Sequence, residues 1–450
     1  MGWEAGVRSS KATIATVRFG MGARPGEVDA ARSDPRGWLA SHLEDPAPPG
    51  DNQDNLGPSH VLVQQLLDVL RPYSIPKIIE LIRGPYREQY LREAIARTGI
   101  AITSPTSFHE RWVRFWSDHF TVTGKKPVIG GLAGSFEREA IRPHVTGRFV
   151  DLLHAVVRHP VMLLYLDNAR SFGPNSPAAR LSDGGLNENL GREVLELHTL
   201  GVDGGYDQND VRSLALMLTG WSLGRKGRDP VGGEFKFHQS AHEGGAHTLL
   251  GKTYPEGGVE QAEDALRDLA RHPATARNVA RELARHFVSD TPDEAATGRL
   301  ARVFLETDGD LKQLALALLD MDAAWQPLTK LKTPDDLVVS CLRAVGTNGA
   351  DGGVLTAINE LGQPPWMAPS PKGWPDTASA WITPDRAMRR VDFAAAVAAR
   401  AAPTIADPSL WAVSTMGDLY RAETLTAISR AESPTQAISL ALAAPEFQRR

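Results

Sequence analysis

The stretch LNENLGREVLELHTLGVDGGYDQNDVRSLALMLTGW, from Leu186 to Trp221, decides the fold class. Over Glu188–Leu200 its apolar residues recur every three or four positions, which is the spacing of an amphipathic α-helix. On such a helix Asn189, Glu193 and Glu196 share one face, while leucine and valine side chains occupy another. The stretch therefore predicts a helix, called here the polar helix, with one face in a core and the other toward a polar site.

The same helical period dominates the chain on both sides of the polar helix. SHVLVQQLLDVL before it and GGVEQAEDALRDLARHPATARNVARELARHF after it are examples. Residues 221–254, rich in glycine and histidine, instead predict a small irregular β-hairpin region. We therefore expect a mainly α protein, a large multi-helix, bundle-like array with a small irregular β-hairpin insertion. We expect one large helical domain over 1–450, or a division into an N-terminal part, 1–255, and a C-terminal part, 256–450.

Composition limits the class of protein and of partner. The chain has 450 residues, 42% hydrophobic and 23% charged, which is typical of a globular protein with a sizeable core. A net charge of -5 gives no general attraction to nucleic acid or to an anionic membrane, so we expect neither as a partner. The single cysteine, Cys341, predicts a buried thiol. No segment has the apolar run of a signal peptide or a membrane span, and we expect a cytoplasmic location.

The segment SFHERWVRFWSDHF, residues 107–120, predicts a helix with a broad aromatic face. Trp112 and Trp116 lie on this face, which ends at His119. We expect the imidazole of His119 to be largely buried. It is either a core histidine that donates to a carbonyl oxygen or a metal ligand or general base.

A second unusual stretch, LGQPPWMAPSPKGWPDTASAWITPDR over Leu361–Arg386, contains Trp366, Trp374 and Trp381. Its prolines and glycines prevent a regular helix, so we expect an irregular aromatic loop. The loop either fills a gap in the core or lines a pocket as a stacking platform. In the second case the three tryptophans bind substrate.

The polar helix, the aromatic helix and a histidine-rich loop supply the groups of a catalytic cleft. We expect Glu193, Glu196 and His119 to be catalytic, with Glu193 as general base because burial raises the pKa of a carboxyl group. Oxygen and nitrogen donors also suit one divalent metal ion, with Glu193, His119 and His242 as its ligands. Further residues expected to bind substrate are Asn187, Asn189, Arg192 and His198.

Several segments occur in an order that resembles one family. FHERWVRFWSDHF, NENLGREVLELHTLGVDGGYDQNDV, PKGWPDTASAWITP and APEFQRR resemble the bacterial domain-of-unknown-function-1800 family, and the likeness covers nearly the whole chain. The resemblance implies a predominantly α-helical protein with no assigned activity. It also implies a sulfatase-like protein as a partner. The family's usual His-Asp pair before a glycine is His242-Glu243 here, which still suits a ligand or a hydrogen-bonding role.

Two functions fit these residues. The first is a hydrolase that acts on a carbohydrate or related polar substrate, because tryptophans and paired acids are what sugar sites use. The second is a non-catalytic binding or assembly module. Arg192 is placed to pair with Glu188 and Glu196, which would make the polar helix a structural salt-bridge network. Phosphate and dinucleotide loops of the GxxxxGK and GxGxxG types are missing from the sequence.

Overall fold

A computed structural model describes residues 10–47, 56–70, 74–181 and 184–450. Helices dominate these residues, as the helical period predicts. Two antiparallel hairpins are present, Trp221–Leu223 with Phe235–Phe237 and His247–Leu249 with Lys252–Tyr254. The expected mainly α fold with a small β-hairpin insertion is confirmed. No membrane-spanning helix is found in the described parts of the chain, where each helix is too short or too polar.

The helical elements of the described residues have the following bounds. Residues 10–14 are helical. The α-helices that follow are Glu27–Ala31, Pro35–Glu44, Ser59–Leu70, Ile75–Leu81, Arg87–Thr103, Ser107–His119, Pro127–Gly130, Ala133–Phe136, Phe149–Arg158, Pro160–Tyr165, Asn189–Glu193, Gln208–Met217, Val259–Ala270, Pro273–Phe287, Glu294–Glu306, Leu311–Leu319, Pro334–Ala344, Gly352–Glu360, Ala378–Trp381, Pro384–Ala401, Pro408–Met416, Ala422–Ser429 and Pro434–Ala443. The π-helical segments are Ala15–Phe19, Ile82–Tyr86, Glu137–Ile141 and Val194–His198. The 3-10 segments are Arg142–His144, Asn168–Arg170, Ala179–Leu181, Gln239–Ala241, Asp322–Trp325, Ala402–Thr404 and Gly417–Leu419.

The aromatic helix, Ser107–His119, runs through the largest core. Its side chains Trp112 and Trp116 are completely buried, as the aromatic face predicts. The Trp112 ring N–H donates to a backbone carbonyl oxygen at 2.7 Å, so burial leaves it satisfied. A second helix, Pro273–Phe287, packs beside it and is called the facing helix. Phe287 contacts three rings of the aromatic helix.

Buried apolar side chains of the described residues form one large core cluster, a second cluster nearer the C-terminal end and two small clusters of three or four residues. The first joins residues between Ala12 and Trp366. The second joins residues between Leu337 and Phe447, together with Val17. The division at residue 255 that the sequence allows falls inside the first cluster. Chain segments on the two sides of that residue therefore share one core.

Two buried arginines join segments that are far apart in the chain. Arg18 donates to four backbone carbonyl oxygens, those of Phe287, Ala324, Gln326 and Arg450. Arg343 donates to four others, those of Gly22, Ala101, Ile102 and Ser104. Arg343 also pairs with both carboxylate oxygens of Glu27 at 2.8 Å. Because a guanidinium group has five N–H donors, one side chain can satisfy several buried carbonyl groups at once.

The polar helix is present, but its second half is wider than an α-helix. It is α-helical over Asn189–Glu193 and π-helical over Val194–His198. It crosses the next helix, Gln208–Met217, closely at Gly191. A Cβ atom at Gly191 would lie only 3.0 Å from the backbone nitrogen of Ala215. The two helices therefore cross in close contact at this glycine.

The tryptophan-rich stretch is irregular over residues 362–377, called here the tryptophan loop. Trp381 differs from the expectation, because it lies in a one-turn helix, Ala378–Trp381. This turn is fixed by the Ala378 N–H, which donates to Asp290 Oδ2 at 2.7 Å. The Trp381 ring N–H also donates back to the Pro375 carbonyl oxygen at 2.7 Å.

Candidate functional site

A cleft with a volume of about 450 Å³ lies where the aromatic helix, the facing helix and the tryptophan loop meet. A narrower space of about 90 Å³ adjoins it. The two spaces together are called the Asp118 cleft. Residues that line both are Asp118, His286, Trp374, Pro375 and Asp376.

Asp118 is near the end of the aromatic helix, with its carboxyl group at the cleft. Its Oδ1 accepts a hydrogen bond from the backbone N–H of Trp374 at 2.9 Å. Burial raises the pKa of Asp118 to about 7, and the nearby carboxylates of Asp376 and Glu282 act in the same direction. A carboxyl group that titrates near neutral pH can give a proton to a substrate and take it back.

Gly373 lets the tryptophan loop approach Asp118 this closely. Its φ of +83° lies in the left-handed region, which favours glycine. A Cβ atom there would lie 2.7 Å from the Asp118 carbonyl oxygen and 2.9 Å from its Cγ. The hydrogen bond from Trp374 to Asp118 therefore depends on the glycine beside it.

His286, from the facing helix, and Asp376, from the tryptophan loop, form a second pair. His286 Nδ1 lies 2.6 Å from Asp376 Oδ2. Burial lowers the pKa of His286 to about 4, so its ring is neutral near neutral pH and donates from Nδ1. Burial opposes ionisation of Asp376, but His286, Lys330 and Arg450 outweigh it and lower the pKa of Asp376 to about 2. His286 Nε2 is buried and has no hydrogen-bond partner among the described residues, so its lone pair is left unpaired.

His119 lines the cleft with both ring nitrogens engaged. Its Nδ1 lies 2.6 Å from Glu282 Oε2, and its Nε2 lies 3.2 Å from the His198 carbonyl oxygen. The contact with a carbonyl oxygen is the core role that the sequence left open, and Glu282 is an additional partner. Because neither nitrogen is free, His119 holds Glu282 in place and is poorly placed to exchange a proton with a substrate.

Buried arginine–carboxylate pairs form a wall of the narrower space. The pairs are Arg97–Glu137, Arg111–Asp336 and Arg114–Asp335. Loss of one member of such a pair leaves a buried charge without its partner, which is strongly destabilising. These charges therefore form a fixed wall, whereas Asp118 makes no ion pair with a described residue and His286 Nε2 is a buried nitrogen without a hydrogen-bond partner.

The order of motifs that runs through these elements is that of a known family. The family model described as "Protein of unknown function (DUF1800)" matches residues 14–449. The chain belongs to the DUF1800 family. This confirms the resemblance seen in the sequence. No curated protein and no solved structure matches the chain.

In this DUF1800 protein the two glutamates of the polar helix lie outside the Asp118 cleft. Leu197 is the residue of that helix that lines it. Burial raises the pKa of Glu193 to about 7, and the adjacent charge of Glu196 adds to the shift. The raised pKa expected for Glu193 is therefore present. The two acids are nevertheless not brought together with the cleft residues of the aromatic helix.

The structure does not bring Glu193, His119 and His242 together as a metal site. His242 Nδ1 lies 3.0 Å from the Thr219 carbonyl oxygen, and His119 is bound to Glu282. Among the described residues no group of three or more His, Cys, Asp or Glu side chains is arranged to hold a metal ion. Both imidazoles already have hydrogen-bond partners in separate parts of this DUF1800 fold.

Polar residues at the start of the polar helix contact one another. Arg192 donates to Gln208 at 2.9 Å and lies 3.5 Å from Glu188, as the pairing rule predicts. Its expected second pairing, with the other glutamate four residues on, is not found among the described residues. Asn187 accepts a hydrogen bond from the Asn189 N–H at 2.9 Å. These contacts suit a structural role for this end of the helix.

The remaining residues expected to bind substrate differ in their exposure. His198 is buried, and burial lowers its pKa to about 3. Trp366 is also buried, and its ring N–H donates to Glu137 at 3.0 Å. Trp374 is partly exposed and lines both spaces, while the buried Trp381 ring lies 5.7 Å from the Trp374 ring. The tryptophan loop therefore fills core space and also lines the cleft.

Asp118, His286 and Asp376 are not among the site residues predicted from the sequence. Asp118 precedes His119 in WSDHF, and an acid beside a histidine on a buried aromatic helix is the signal that could have identified it. His286 and Asp376 are 90 residues apart, and no local pattern joins them.

One short pattern in this DUF1800 chain resembles the nucleophile motif of serine hydrolases but does not form a nucleophile site. Residues 220–224, GWSLG, match the GxSxG pattern. Ser222 lies in a β-strand of the first hairpin, and its hydroxyl donates to the Ala169 carbonyl oxygen at 2.7 Å. A nucleophile elbow requires a sharp strand-to-helix turn and an exposed hydroxyl, and neither is present at Ser222.

Proposed function

We propose that this protein is a hydrolase that acts on a carbohydrate or related polar substrate in the Asp118 cleft. The observation that carries the proposal is that one cleft contains two proton-transfer groups with pKa values displaced in opposite directions. Asp118, with a pKa of about 7, is protonated in mildly acidic solution, and His286, with a pKa of about 4, is neutral there. Such a pair supplies a general acid and a general base at the same pH.

The proposed roles of Asp118, His286 and Asp376 follow from which of their polar atoms are already bonded and which are not. Asp118 gives its proton to the leaving oxygen of the substrate as the bond from that oxygen to carbon breaks. His286 Nε2 takes a proton from the water whose oxygen forms the new bond to that carbon. Asp376 binds the His286 Nδ1–H, which fixes the tautomer and balances the charge of the imidazolium ion.

The shape of the cleft supports a sugar as the substrate. Its larger space, about 450 Å³, is within the size range of small-molecule sites. Trp374 forms part of the wall, and Trp381 packs beside it. An aromatic ring beside acidic groups is a common arrangement in sugar sites, because the ring covers the apolar face of the sugar while the acids bind its hydroxyl groups.

A binding or assembly module is the second candidate, and one observation favours it. Three acids at the wall of the narrower space, Glu137, Asp335 and Asp336, are each already paired with an arginine, as in a structural network. On this view Asp118 and His286 complete the network and carry out no chemistry. If the protein is a hydrolase, loss of Asp118 removes its reaction. If it is a binding module, loss of Asp118 removes only a structural contact.

The test uses a panel of neutral and acidic oligosaccharides, with newly formed reducing ends as the readout. We expect wild type to cleave at least one of them, and Asp118→Asn and His286→Gln to lose about 100-fold or more of that activity while remaining folded. Asp203→Asn, the same change at an exposed site, is the matched control. Absence of cleavage by wild type, or full activity in Asp118→Asn, would overturn the hydrolase.

Location and partner belong to the same proposal. We place the protein in the cytoplasm, as expected from the sequence, with a sulfatase-like protein as the candidate partner. Cell fractionation and co-purification test these two points separately from the activity.

A further inference from the structure

We propose, on the basis of the hydrolase function proposed above, that the substrate is an acidic sugar whose carboxylate is held by Arg285 and Lys372 at the Asp118 cleft. The two cations approach the same space from different elements. Arg285 belongs to the facing helix and Lys372 to the tryptophan loop, and both line the larger space of the cleft.

Arg285 has no counter-charge in the described part of the chain. It makes no hydrogen bond or ion pair there, and its Nε is shut off from solvent without an acceptor. Arg18, Arg138 and Arg142 also have a buried Nε without an acceptor, but their other guanidinium nitrogens are bonded, whereas those of Arg285 are not bonded to any described residue. The fold therefore positions a cation at the cleft without neutralising it.

The acids around the cleft are engaged elsewhere. Glu282 is bound by His119 at 2.6 Å, and Asp376 is bound by His286 at 2.6 Å. Asp118 accepts from a backbone N–H. Glu137, Asp335 and Asp336, at the wall of the narrower space, are each paired with another arginine. No carboxylate lining the cleft is therefore within ion-pair distance of Arg285.

Lys372 adds a second positive charge from the tryptophan loop. It is exposed, and it forms no ion pair with any described residue. It follows Pro371 and precedes Gly373, the residue that brings the loop against Asp118. The position of Lys372 is thus tied to that of the proposed general acid.

The chemistry of the two side chains indicates which anion they bind. The planar guanidinium group of arginine matches the two oxygens of a carboxylate, while a lysine ammonium group acts as a point charge. A carboxylate of a uronic acid would satisfy Arg285 and leave Lys372 to hold the same group from the tryptophan loop. A neutral sugar would leave both cations unpaired, which lowers its affinity.

The experiment measures binding without turnover, in the Asp118→Asn background, by calorimetric titration. The probes are trisaccharides of galacturonate, mannuronate and glucuronate, each beside its methyl ester, which has the same stereochemistry and no charge. We expect at least one acid to bind about 10-fold or more tightly than its ester. Arg285→Gln should weaken binding of that acid by about 10- to 100-fold, and Lys372→Gln by a smaller factor.

Arg281→Gln is the matched control, because Arg281 is exposed on the same helix and does not line the cleft. It should bind the acid as tightly as the Asp118→Asn background. If no acid binds more tightly than its ester, or if Arg285→Gln and Arg281→Gln bind alike, the acidic-sugar inference is overturned. Cleavage of neutral sugars alone would overturn this inference and leave the hydrolase in place. Charge-dependent binding without cleavage would overturn the hydrolase and leave the acidic-sugar site in place.

Discussion

At the scale of single residues, Asp118 carries a free-energy cost that its proposed role would justify. Its pKa of about 7 in the folded protein compares with about 3.9 in an unfolded chain. The folded protein thus binds this proton more tightly than the unfolded chain does. Stability contributed by the group is therefore lost as the pH rises from about 4 to about 7.

Asp118→Asn is predicted to stabilise the protein at higher pH. Asparagine keeps an oxygen for the Trp374 N–H and removes the charge that burial disfavours. The stability of the variant relative to wild type should be greater at about pH 8 than at about pH 5, by about 2 kcal/mol. Urea unfolding at the two pH values measures it. In Asp203→Asn, the exposed control, the difference should not change with pH, and equal behaviour of both variants would contradict the burial of Asp118.

The activity of the proposed hydrolase is predicted to follow a bell-shaped pH profile. Its base, His286, must be unprotonated, so kcat/KM falls as the pH drops through about 4. Its acid, Asp118, must be protonated, so kcat/KM falls again as the pH rises through about 7. Rates across this range on the best substrate of the panel measure both limbs. Residual activity of Asp118→Asn should lack the alkaline limb, and a variant that retains it would show that another group is the acid.

At the scale of elements, the tryptophan loop depends on Gly373. Gly373→Ala is predicted to destabilise the protein by about 1 to 3 kcal/mol more than Gly362→Ala. Both glycines have positive φ, so the backbone strain of an alanine is similar at the two positions and cancels in the comparison. A Cβ atom at Gly362 meets only an arginine nitrogen at 4.0 Å, whereas at Gly373 it meets Asp118 at 2.7 Å. Urea unfolding of the two variants isolates the contact.

A second readout connects this contact to the site. Gly373→Ala should also reduce kcat on the best substrate, because the N–H that binds Asp118 moves with the loop. Gly362→Ala should leave kcat unchanged. Equal stability of the two variants would show that the loop shifts without cost, and that its fit against Asp118 is loose.

Elements were predictable from sequence where local spacing determines them. The aromatic helix follows from aromatic residues at three- and four-residue intervals, and it lies where the spacing places it. The polar helix was also expected, but its π turn over Val194–His198 was not. The apolar spacing of the segment indicates a helix but does not distinguish a π turn from an α turn.

The candidate site was less predictable, because it depends on tertiary contacts and not on local spacing. Paired acids on the polar helix suggested chemistry, yet that face lies away from the cleft. The His286–Asp376 pair joins a helix to a loop 90 residues away, and only the tertiary fold brings them together. Trp374 was selected for its aromatic ring, but its backbone N–H is what holds Asp118. Backbone contacts of this kind cannot be predicted from residue type, because almost every residue has a backbone N–H.

At the scale of the whole molecule, Arg343 joins the N-terminal segments to the second core. Arg343→Met is predicted to lower the free energy of unfolding by about 3 to 5 kcal/mol, because the Glu27 carboxylate and several carbonyl oxygens lose their donor. Differential scanning calorimetry measures the shift. Arg400→Met, an exposed control on the helix Pro384–Ala401, should change stability by less than about 0.5 kcal/mol.

The same calorimetry addresses how many units unfold. Because the first core cluster extends across residue 255 and Arg343 bridges the two clusters, wild type should unfold in a single transition. Two resolved transitions would instead support separate parts over 1–255 and 256–450. In Arg343→Met the transition should move to lower temperature, and an unshifted transition would mean that the buried ion pair contributes little.

The contacts of Arg18 also constrain how the protein is made. This guanidinium group, completely buried in the finished fold, donates to Phe287, Ala324 and Gln326, and to a carbonyl 432 residues downstream. At ordinary rates of translation, Arg18 leaves the ribosome on the order of tens of seconds before the last of these acceptors exists. Arg18 therefore makes its full set of hydrogen bonds only after all of these acceptors have been synthesised.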